Sequence, residues 1–299
     1  RVWEKFYSSV MIALKESSPL QQMTYAWGIG VGQRIAERVL AQQAVSWVLK
    51  CQFTLARWLV LNNVRKLIGI HRARMLISGA APISPSLIKW YLSLGVPMLE
   101  AWGMTETCGA STAMTAARIK PGSIGPAAGF NEVRLDPITN EILVRGPNVF
   151  MGYLNLPDKT AETLRNGWYF SGDAAVADSE GFITVMGRMD HTIKSGGENI
   201  HPSEIENILF EHPGVANAAA VGLPSQKWGQ VVCAAIVRKD PALDATAMDA
   251  FCLQNPDLAA FKRPRHYFFI DAIPSNPTGK VERGKLKDLL LAQLTHPLD

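Results

Sequence analysis

The chain has 299 residues, of which 47% are hydrophobic and 19% are charged. This composition is that of an ordinary globular protein, and it excludes intrinsic disorder as the main state. The length is sufficient for two hydrophobic cores. The formal net charge is only +4 and no long run of like charges occurs, which argues against a nucleic-acid-binding arm.

The four cysteines lie far apart in the sequence and form no CxxC pair. This spacing favours reduced thiols over a disulfide framework or a zinc site. The first residues lack the charge and hydrophobic pattern of a signal peptide. We therefore expect a cytoplasmic protein.

Residues 1–70 have a helical hydrophobic period and few turn residues. Pro19 and the glycine-rich residues 28–32 predict interruptions, and the glycines match a phosphate-binding loop only weakly because no strand precedes them. Basic residues interrupt the apolar stretch 34–63 well before the roughly 18 residues that crossing a bilayer needs. A packed helix pair is the favoured interpretation, and an amphipathic helix in peripheral contact with a membrane stays open.

The next stretch, residues 71–120, alternates short apolar strands with a helix, which is typical of an α/β sheet. Strands are predicted at 73–78 and 97–101, with a helix at 84–94 between them. Ligands of such sheets bind at the carboxyl ends of the strands. The loops at those ends are therefore the first place to look for chemistry.

The two strand-end loops, residues 78–82 and 103–107, are rich in small residues that let a flat ring lie against the backbone. Thr105 offers a hydroxyl group, and Glu106 offers a hard oxygen ligand for Mg²⁺. Taken alone, Glu106 has the character of an ordinary surface carboxylate. The sequence thus indicates a nucleotide site without proving one.

Residues 121–188 carry glycine and proline punctuation between short β-like runs, which predicts a small β-barrel or sheet subdomain. The runs are at 131–135, 141–145 and 182–186. Asp173 ends an aromatic strand, where its carboxylate is suited to accept hydrogen bonds from vicinal sugar hydroxyls. The alternative is an aspartate that only forms a turn.

The run 184–206 has the pattern of a joint between two domains. A strand ends at Gly187, charged residues and a Lys-Ser-Gly-Gly loop follow, and Pro202 with Ser203 marks a helix start. Glu206 stands three residues after Ser203, the spacing of a capping box. Residues 191–299 then predict a compact α+β unit.

Together with the Asn-Pro-Thr-Gly-Lys run at 276–280, these motifs resemble the adenylate-forming (AMP-binding) enzymes. That family includes acyl-CoA synthetases, aryl-CoA ligases, luciferases and peptide-synthetase adenylation domains. Residues 1–70 are similar to the helical segment of long-chain fatty acyl-CoA synthetases. The resemblance implies an α/β plus α+β fold: a partial large AMP-binding domain at 1–188, with the α/β sheet and small β-barrel, and a small mobile domain at 189–299.

The resemblance also implies the activity, which is ATP-dependent ligation of a long-chain fatty acid to coenzyme A through an acyl-adenylate, with Mg²⁺. It gives catalytic roles to Thr105, Glu106 and Lys280, with Glu106 as the metal ligand, and a hinge role to Asp190. The residues implied in nucleotide binding are Ser78, Gly79, Ala80, Ala81, Pro82, Ala101, Trp102, Gly103, Met104, Thr105, Asp173 and Arg188. Those implied in CoA binding are Lys194, Ser195, Gly196, Gly197, Trp228, Phe261 and Arg263.

Two departures from the family pattern stand out. His191 replaces the second acidic residue that is common beside the hinge. The family's Ser/Thr/Gly-rich loop ending in Pro-Lys-Gly, which wraps the β- and γ-phosphates, does not occur in residues 1–299. We therefore expect the chain to be the C-terminal portion of a longer protein and to be inactive in adenylation alone.

Two alternatives to a CoA ligase stay open. An enzyme of this family can transfer the acyl group to a carrier protein instead, although Trp228 and the run 261–264 favour CoA. The chain can also be a non-catalytic remnant that binds a nucleotide. Acyl-chain length is not determined, since the loop at 195–202 resembles aryl and medium-chain ligases more closely than long-chain ones.

Overall fold

A computed structural model describes residues 2–80, 83–276, 280–294 and 298. The chain divides into two compact units. The first unit comprises Arg1–Ile138, Ile142–Ser171 and Val176–Val185, and the second comprises Thr139–Glu141, Gly172–Ala175 and Met186–Asp299. The domain assignment made from the sequence, 1–188 and 189–299, stays a prediction.

Helices make up the start of the first unit. They are α1 (Val2–Lys15), α2 (Pro19–Leu40), α3 (Trp47–Ala56), a π-helical turn (Arg57–Leu61), α4 (Asn62–Leu67) and, further along, α5 (Pro85–Ser93). Ser18 forms a capping box with Gln21 at the start of α2, and Ser46 caps α3. Their apolar faces form one core with α5, in which the Trp90 indole N–H donates to the Tyr25 hydroxyl at 2.9 Å.

The predicted break at residues 28–32 is wrong, because α2 continues through it. A Cβ atom on Gly32 would lie 2.0 Å from the Ser93 carbonyl oxygen of α5, and one on Gly28 would lie 3.3 Å from the Val60 Cβ. These glycines therefore serve close helix packing. Their spacing looked like a phosphate loop because both uses need a residue without a side chain.

A three-stranded sheet follows in the first unit. Its strands are β1 (Leu76–Ser78), β2 (Met98–Met104) and β3 (Gly109–Ala113), in the order β1-β2-β3. The parallel pairing of β1 with β2 places Ser78 opposite Glu100. β2 and β3 pair antiparallel. The α/β character predicted from the sequence is confirmed, since α5 connects the two parallel strands.

The β-rich stretch forms a second sheet. Its elements are β4 (Glu132–Leu135), β5 (Glu141–Arg145), α6 (Pro157–Thr163), β6 (Leu164–Arg165), β7 (Trp168–Ala177) and β8 (Ile183–Arg188). The strand order is β4-β5-β7-β6, with β8 also paired to β7. Over the described residues the sheet is open, so the predicted small barrel is wrong and the alternative, a sheet, is right. The edge strands β4 and β6 have only 4 and 2 residues, which is too short for closure.

The C-terminal elements form the core of the second unit. They are β9 (Ile193–Ser195), β10 (Glu198–Ile200), α7 (Pro202–Glu211), β11 (Val215–Ser225), β12 (Gly229–Arg238), α8 (Ala245–Gln254), β13 (His266–Phe269) and α9 (Arg283–Ala292). The sheet order is β10-β9-β12-β11, with β13 parallel to β12. Alternate residues of β11 and β12 join two cores, one with α7 and α8 and the other with α9. The predicted compact α+β unit is confirmed.

The described residues also bear on two expectations about the surface and the thiols. None of the described helices combines the length and hydropathy that crossing a bilayer requires. All four cysteines are free thiols, with Cys51 and Cys108 exposed and Cys233 and Cys252 buried. Burial raises the pKa of the Cys233 thiol to about 12, so this thiol stays protonated.

The packing of α2 generates a stability prediction with an internal control. Gly32→Ala places a methyl group on the Ser93 backbone, and overpacking of this kind costs about 1–3 kcal/mol. Gly30→Ala lies on the same helix with nothing within 4 Å, so it should stabilise the protein by about 0.5–1 kcal/mol through helix propensity. Urea unfolding measures both. Equal effects of the two substitutions would contradict the packing role of Gly32.

Candidate active site

The carboxyl ends of β1 and β2 bring the first group of predicted nucleotide-binding residues together. A Cβ on Gly79 would lie 3.1 Å from the Ala101 carbonyl oxygen, so the loop after β1 packs closely against the backbone of β2. Ala80 has a left-handed φ of 66°, a conformation that turns the loop sharply. Ser78 to Ala80 thus lie beside Ala101 at the sheet edge where α/β proteins bind ligands. The predicted residues Ala81 and Pro82 lie outside the described residues.

Close backbone packing fixes the end of β2. A Cβ on Gly103 would lie 1.6 Å from the Gly109 carbonyl oxygen, so only glycine fits at this position. Trp102 is opposite Thr112 on β3, and the Tyr169 hydroxyl lies 2.9 Å from the Met104 sulfur. At its end, β2 is therefore held through its backbone by β3 and through the Met104 side chain by Tyr169.

Glu106 is positioned by a short 3₁₀ turn, Thr105–Thr107, that follows β2 directly. The Tyr153 hydroxyl donates to Glu106 Oε1 at 2.8 Å, and the Phe150 N–H donates to the Glu106 carbonyl oxygen at 2.8 Å. Burial, together with the bond to Glu106, raises the pKa of Tyr153, so the phenol remains a donor. This oriented carboxylate fits Mg²⁺, which proteins often hold by one or two carboxylates with phosphate oxygens and water. Thr105 is exposed at the start of the turn.

A second cluster joins Asp173, Arg188 and Asp190 within the second unit. Arg188 Nη1 lies 3.2 Å from Asp173 Oδ1, and Arg188 Nε lies 3.4 Å from Asp190 Oδ1. Burial lowers the pKa of Arg188, but the charges of Asp173 and Asp190 outweigh it and leave a net increase. Gly172 makes room for the guanidinium group, since a Cβ there would lie 2.8 Å from Arg188 Nη2. The sequence-predicted ribose-binding pair is thus in direct contact, and it contacts the predicted hinge residue.

The predicted CoA loop is the turn of the β9–β10 hairpin, a strand pair that the sequence did not predict. Gly196 and Gly197 both have left-handed φ angles, 59° and 89°. A Cβ on Gly196 would lie 2.9 Å from the Trp228 ring, and the Gly196 N–H donates to the Trp228 carbonyl oxygen at 2.9 Å. Lys194 is exposed, and its N–H donates to Gln230 Oε1 at 3.0 Å. The hairpin turn therefore lies directly against Trp228.

The other predicted CoA residues, Phe261 and Arg263, lie on the segment before β13. Phe261 is 50% exposed, but Arg263 Nε donates to Asp249 Oδ1 at 2.9 Å. The neighbouring Lys262 Nζ donates to Glu204 Oε2 at 2.6 Å. Both cations of this run are thus ion-paired, which reduces the positive charge that they offer to a phosphate group.

Lys280 is exposed on the turn before α9. The Asn276 N–H donates to the Lys280 carbonyl oxygen at 2.9 Å, and the Lys280 N–H donates to Asn276 Oδ1 at 2.9 Å. An antiparallel bridge between Ser275 and Val281 closes the turn. Residues 277–279 of the predicted motif lie outside the described residues.

Sequence reasoning missed Glu100, which lies on β2 between the two nucleotide loops. Its side chain is buried, Oε1 accepts from the Ile83 N–H at 3.4 Å, and Oε2 has no hydrogen-bond partner among the described residues. Burial raises the pKa of this carboxyl group to about 7, against the opposing effect of the Ile83 and Gly122 N–H groups. A glutamate in the middle of a predicted apolar strand was the available signal.

The chain thus comprises an α/β part that carries the predicted nucleotide-binding loops and a small α+β unit that carries an exposed lysine. The chain belongs to the AMP-binding enzyme family. The model described as "AMP-binding enzyme" matches residues 33–154, and the model described as "AMP-binding enzyme C-terminal domain" matches residues 204–280. The resemblance stated from the sequence is therefore confirmed.

The relatives are acid ligases with different substrates. A feruloyl-CoA synthase of Amycolatopsis sp. is 37% identical over 72% of this chain and 46% of its own length. A fatty acid–[acyl-carrier-protein] ligase of Streptomyces coeruleorubidus is 37% identical over 72% of this chain and 44% of its own. A long-chain-fatty-acid–CoA ligase of Mycobacterium tuberculosis is 33% identical over the same shares, 72% and 44%.

Solved structures show the same fold. The o-succinylbenzoate coenzyme A synthetase of Bacillus subtilis, in complex with ATP and a magnesium ion, matches with a TM-score of 0.66 and 33% identity. The match covers 72% of this chain and 46% of that protein. The chain thus spans about half the length of the relatives that it matches.

Glu100 generates a pH prediction whose sign follows from its raised pKa. Below pH 4.5 the Glu100 carboxyl group is protonated in both the folded and the unfolded chain. As the pH rises to about 7, only the unfolded chain loses this proton, which stabilises the unfolded state, so the free energy of unfolding falls. The loss is on the order of 3 kcal/mol at most. Glu100→Gln removes the titration, so the variant should gain stability relative to the wild type between pH 5 and pH 8.

Urea unfolding at pH 5 and pH 8, followed by tryptophan fluorescence, measures this difference. Glu16→Gln, at an exposed carboxylate of the same unit, is the control and should show no such trend. The raised pKa of Glu100 would be contradicted if Glu100→Gln differed from the wild type in stability by the same amount at both pH values.

Proposed function

We propose that this chain supplies the C-terminal part of an enzyme that ligates a carboxylic acid to coenzyme A through an acyl-adenylate. The observation that carries the proposal is the convergence of residues 78–80 and Ala101 at one sheet edge, with Glu106 oriented by Tyr153 on the following turn. Family membership supports it. We further propose a long-chain fatty acid as the acid, on the similarity of residues 1–70 to that branch and on the 33% identity to a long-chain ligase.

The chemistry of adenylation explains why so few residues are needed. A carboxylate must attack the α-phosphate of ATP, and both reactants are anions, so their repulsion is the main obstacle. An exposed lysine such as Lys280 would offset that charge, and Mg²⁺ held by Glu106 would neutralise phosphate oxygens. Asp173, held by Arg188, would accept hydrogen bonds from the ribose hydroxyls. In this proposal no side chain acts as a nucleophile.

The second step, attack of the CoA thiol on the acyl-adenylate, would use a different surface of the small unit. The Gly196 and Gly197 turn permits close backbone approach of a pantetheine chain, and Trp228 lines it on one side. We propose that the backbone around Asp190 rotates between the two steps, so that Lys280 leaves and residues 194–197 arrive.

A carrier protein is the second candidate acceptor, and one observation favours it. Arg263 and Lys262 are paired with Asp249 and Glu204, so the run that suits a CoA phosphate by sequence has its charge partly neutralised. Similarity to a fatty acid–carrier-protein ligase points the same way. Comparing free CoA with a phosphopantetheinyl carrier protein as acceptor, at equal thiol concentration, decides between them.

Lys280→Ala tests the proposed first step. In the active protein that contains this chain, we expect ATP–pyrophosphate exchange to fall by about 10²–10³-fold, as when a single transition-state charge contact is removed. Thioester formation from a preformed acyl-adenylate should remain near the wild-type rate. Lys285→Ala is the control, since Lys285 is exposed five residues further on and forms an ion pair with Glu282.

Two results would contradict the proposal. One is equal loss of both half-reactions in Lys280→Ala, because the lysine would then not be specific to adenylation. The other is that the wild-type protein that contains this chain shows no acid-dependent ATP–pyrophosphate exchange with any carboxylic acid tested. The 299-residue chain alone should show little exchange, because it lacks the Pro-Lys-Gly phosphate loop.

A further inference from the structure

Glu206 and Arg283 form an ion pair in the second unit. Arg283 Nη1 donates to Glu206 Oε1 at 2.7 Å, and Arg283 Nη2 donates to Glu206 Oε2 at 3.1 Å, so the contact is bidentate. Both side chains are 15% exposed. The spacing of Glu206 predicted a capping box on its own helix, and that prediction is wrong: His201 is the N-cap residue, without a side-chain cap.

The same two side chains also bind the backbone of β11. Arg283 Nη1 donates to the Ala220 carbonyl oxygen at 2.7 Å, and the Ala220 N–H donates to Glu206 Oε1 at 2.8 Å. The pair therefore joins three elements, namely α7, β11 and the start of α9. Planar bidentate contacts of arginine with a carboxylate fix geometry more strictly than contacts of lysine do.

Arg283 lies three residues after Lys280, at the base of the lysine turn. The Glu282 N–H donates to the Pro274 carbonyl oxygen at 2.9 Å, next to the bridge between Ser275 and Val281. Reciprocal bonds between Asn276 and Lys280 close the turn above that base. The Lys280 backbone is therefore held from two directions, by bonds to residues 274–276 and, three residues further along the chain, by Arg283.

Glu206 connects the pair to the other proposed functional surface. It lies on α7, which begins two residues after β10 and therefore follows the β9–β10 hairpin directly. Ser203 at the start of α7 donates to the Met186 carbonyl oxygen. The Lys280 turn and the helix behind the hairpin thus share one ion pair.

The charge of Arg283 also acts on His191, next to the proposed hinge. Burial lowers the pKa of His191, and the negative charge of Asp190 opposes this effect. The positive charges of Arg283, Arg188 and Lys287 lower the pKa further. His191 is therefore neutral near neutral pH.

We propose that Glu206 and Arg283 are positioning residues that hold the Lys280 turn in a fixed place on the small unit. The proposal depends on the proposed function for the catalytic meaning of Lys280, but the restraint itself does not. A buried ion pair is weak support for stability, because desolvation of both charges offsets their attraction. Control of geometry is the better explanation for a bidentate pair that also binds both polar groups of Ala220.

Hydrogen–deuterium exchange on the 299-residue chain tests the restraint without any activity. In Arg283→Met and Glu206→Gln we expect the amides of Lys280 and Glu282 to exchange at least 10-fold faster, while those of β12, such as Ala234, stay protected. Arg283→Lys keeps the charge but loses the fork geometry, so its effect should be intermediate. Lys285→Met, on the exposed face of α9, is the matched control and should match the wild type.

Protected β12 amides show that a variant is folded. If Arg283→Met does not fold, the milder variant Arg283→Lys provides the test. Exchange at Lys280 and Glu282 equal to the wild type in the folded variants would overturn the proposal. Faster exchange throughout β11, β12 and the turn would also overturn it, since the pair would then support the whole unit and not the lysine turn.

The catalytic consequence is measured in the active protein. Arg283→Met should lower kcat of acyl-adenylate formation about 10-fold or more, leave the KM for ATP within 3-fold, and leave thioester formation from preformed adenylate near the wild-type rate. Equal loss in both half-reactions would contradict the role of the pair in placing Lys280. If the wild type forms no adenylate, the proposed function fails while the exchange experiment still decides the restraint.

Discussion

The parallel pairing of β1 with β2 is the constraint on which the candidate site depends. It sets Ser78 opposite Glu100 and brings the loops after both strands to one edge of the sheet. Gly103 then allows a backbone contact that any side chain would block, and Gly79 lies in a tight contact with the Ala101 carbonyl oxygen. The Tyr153 hydroxyl completes the arrangement by orienting Glu106 on the next turn. A planar base and a phosphate chain would meet mostly backbone and small side chains here, which suits a site that binds a nucleotide through shape.

The second unit solves a different problem, because its proposed task is to present two surfaces in turn. Its core is a sheet with helices on both faces, and ion pairs connect residues of separate elements. Asp173, Arg188 and Asp190 form one group of ion pairs beside the proposed hinge, and Glu206 with Arg283 forms another at the base of the Lys280 turn. A unit that moves as one body can exchange one functional surface for another, whereas a flexible unit would lose the placement of both.

Much of this arrangement could be predicted from the sequence. Hydrophobic period and turn residues predicted the strands around β1 and β2, the helix between them and the C-terminal α+β unit, since these patterns are local. Residues 28–32, the role of Glu206, and the choice between a barrel and an open sheet after residue 121 could not be predicted, because each depends on a partner that is distant in the sequence. Gly32 is explained by the Ser93 backbone, Glu206 by Arg283, and the open sheet by the shortness of β4 and β6. Buried Glu100 was missed for the same reason, since its neighbours Ile83 and Gly122 come from separate loops.

The most direct measurement is a crystal structure of this chain with a non-hydrolysable acyl-adenylate analogue such as an acyl-sulfamoyl adenosine. We predict adenine against residues 79–80 and the backbone of Ala101 and Trp102. An analogue bound with its adenine away from the carboxyl ends of β1 and β2, or no binding at millimolar concentration, would contradict the assignment of this edge as the nucleotide site.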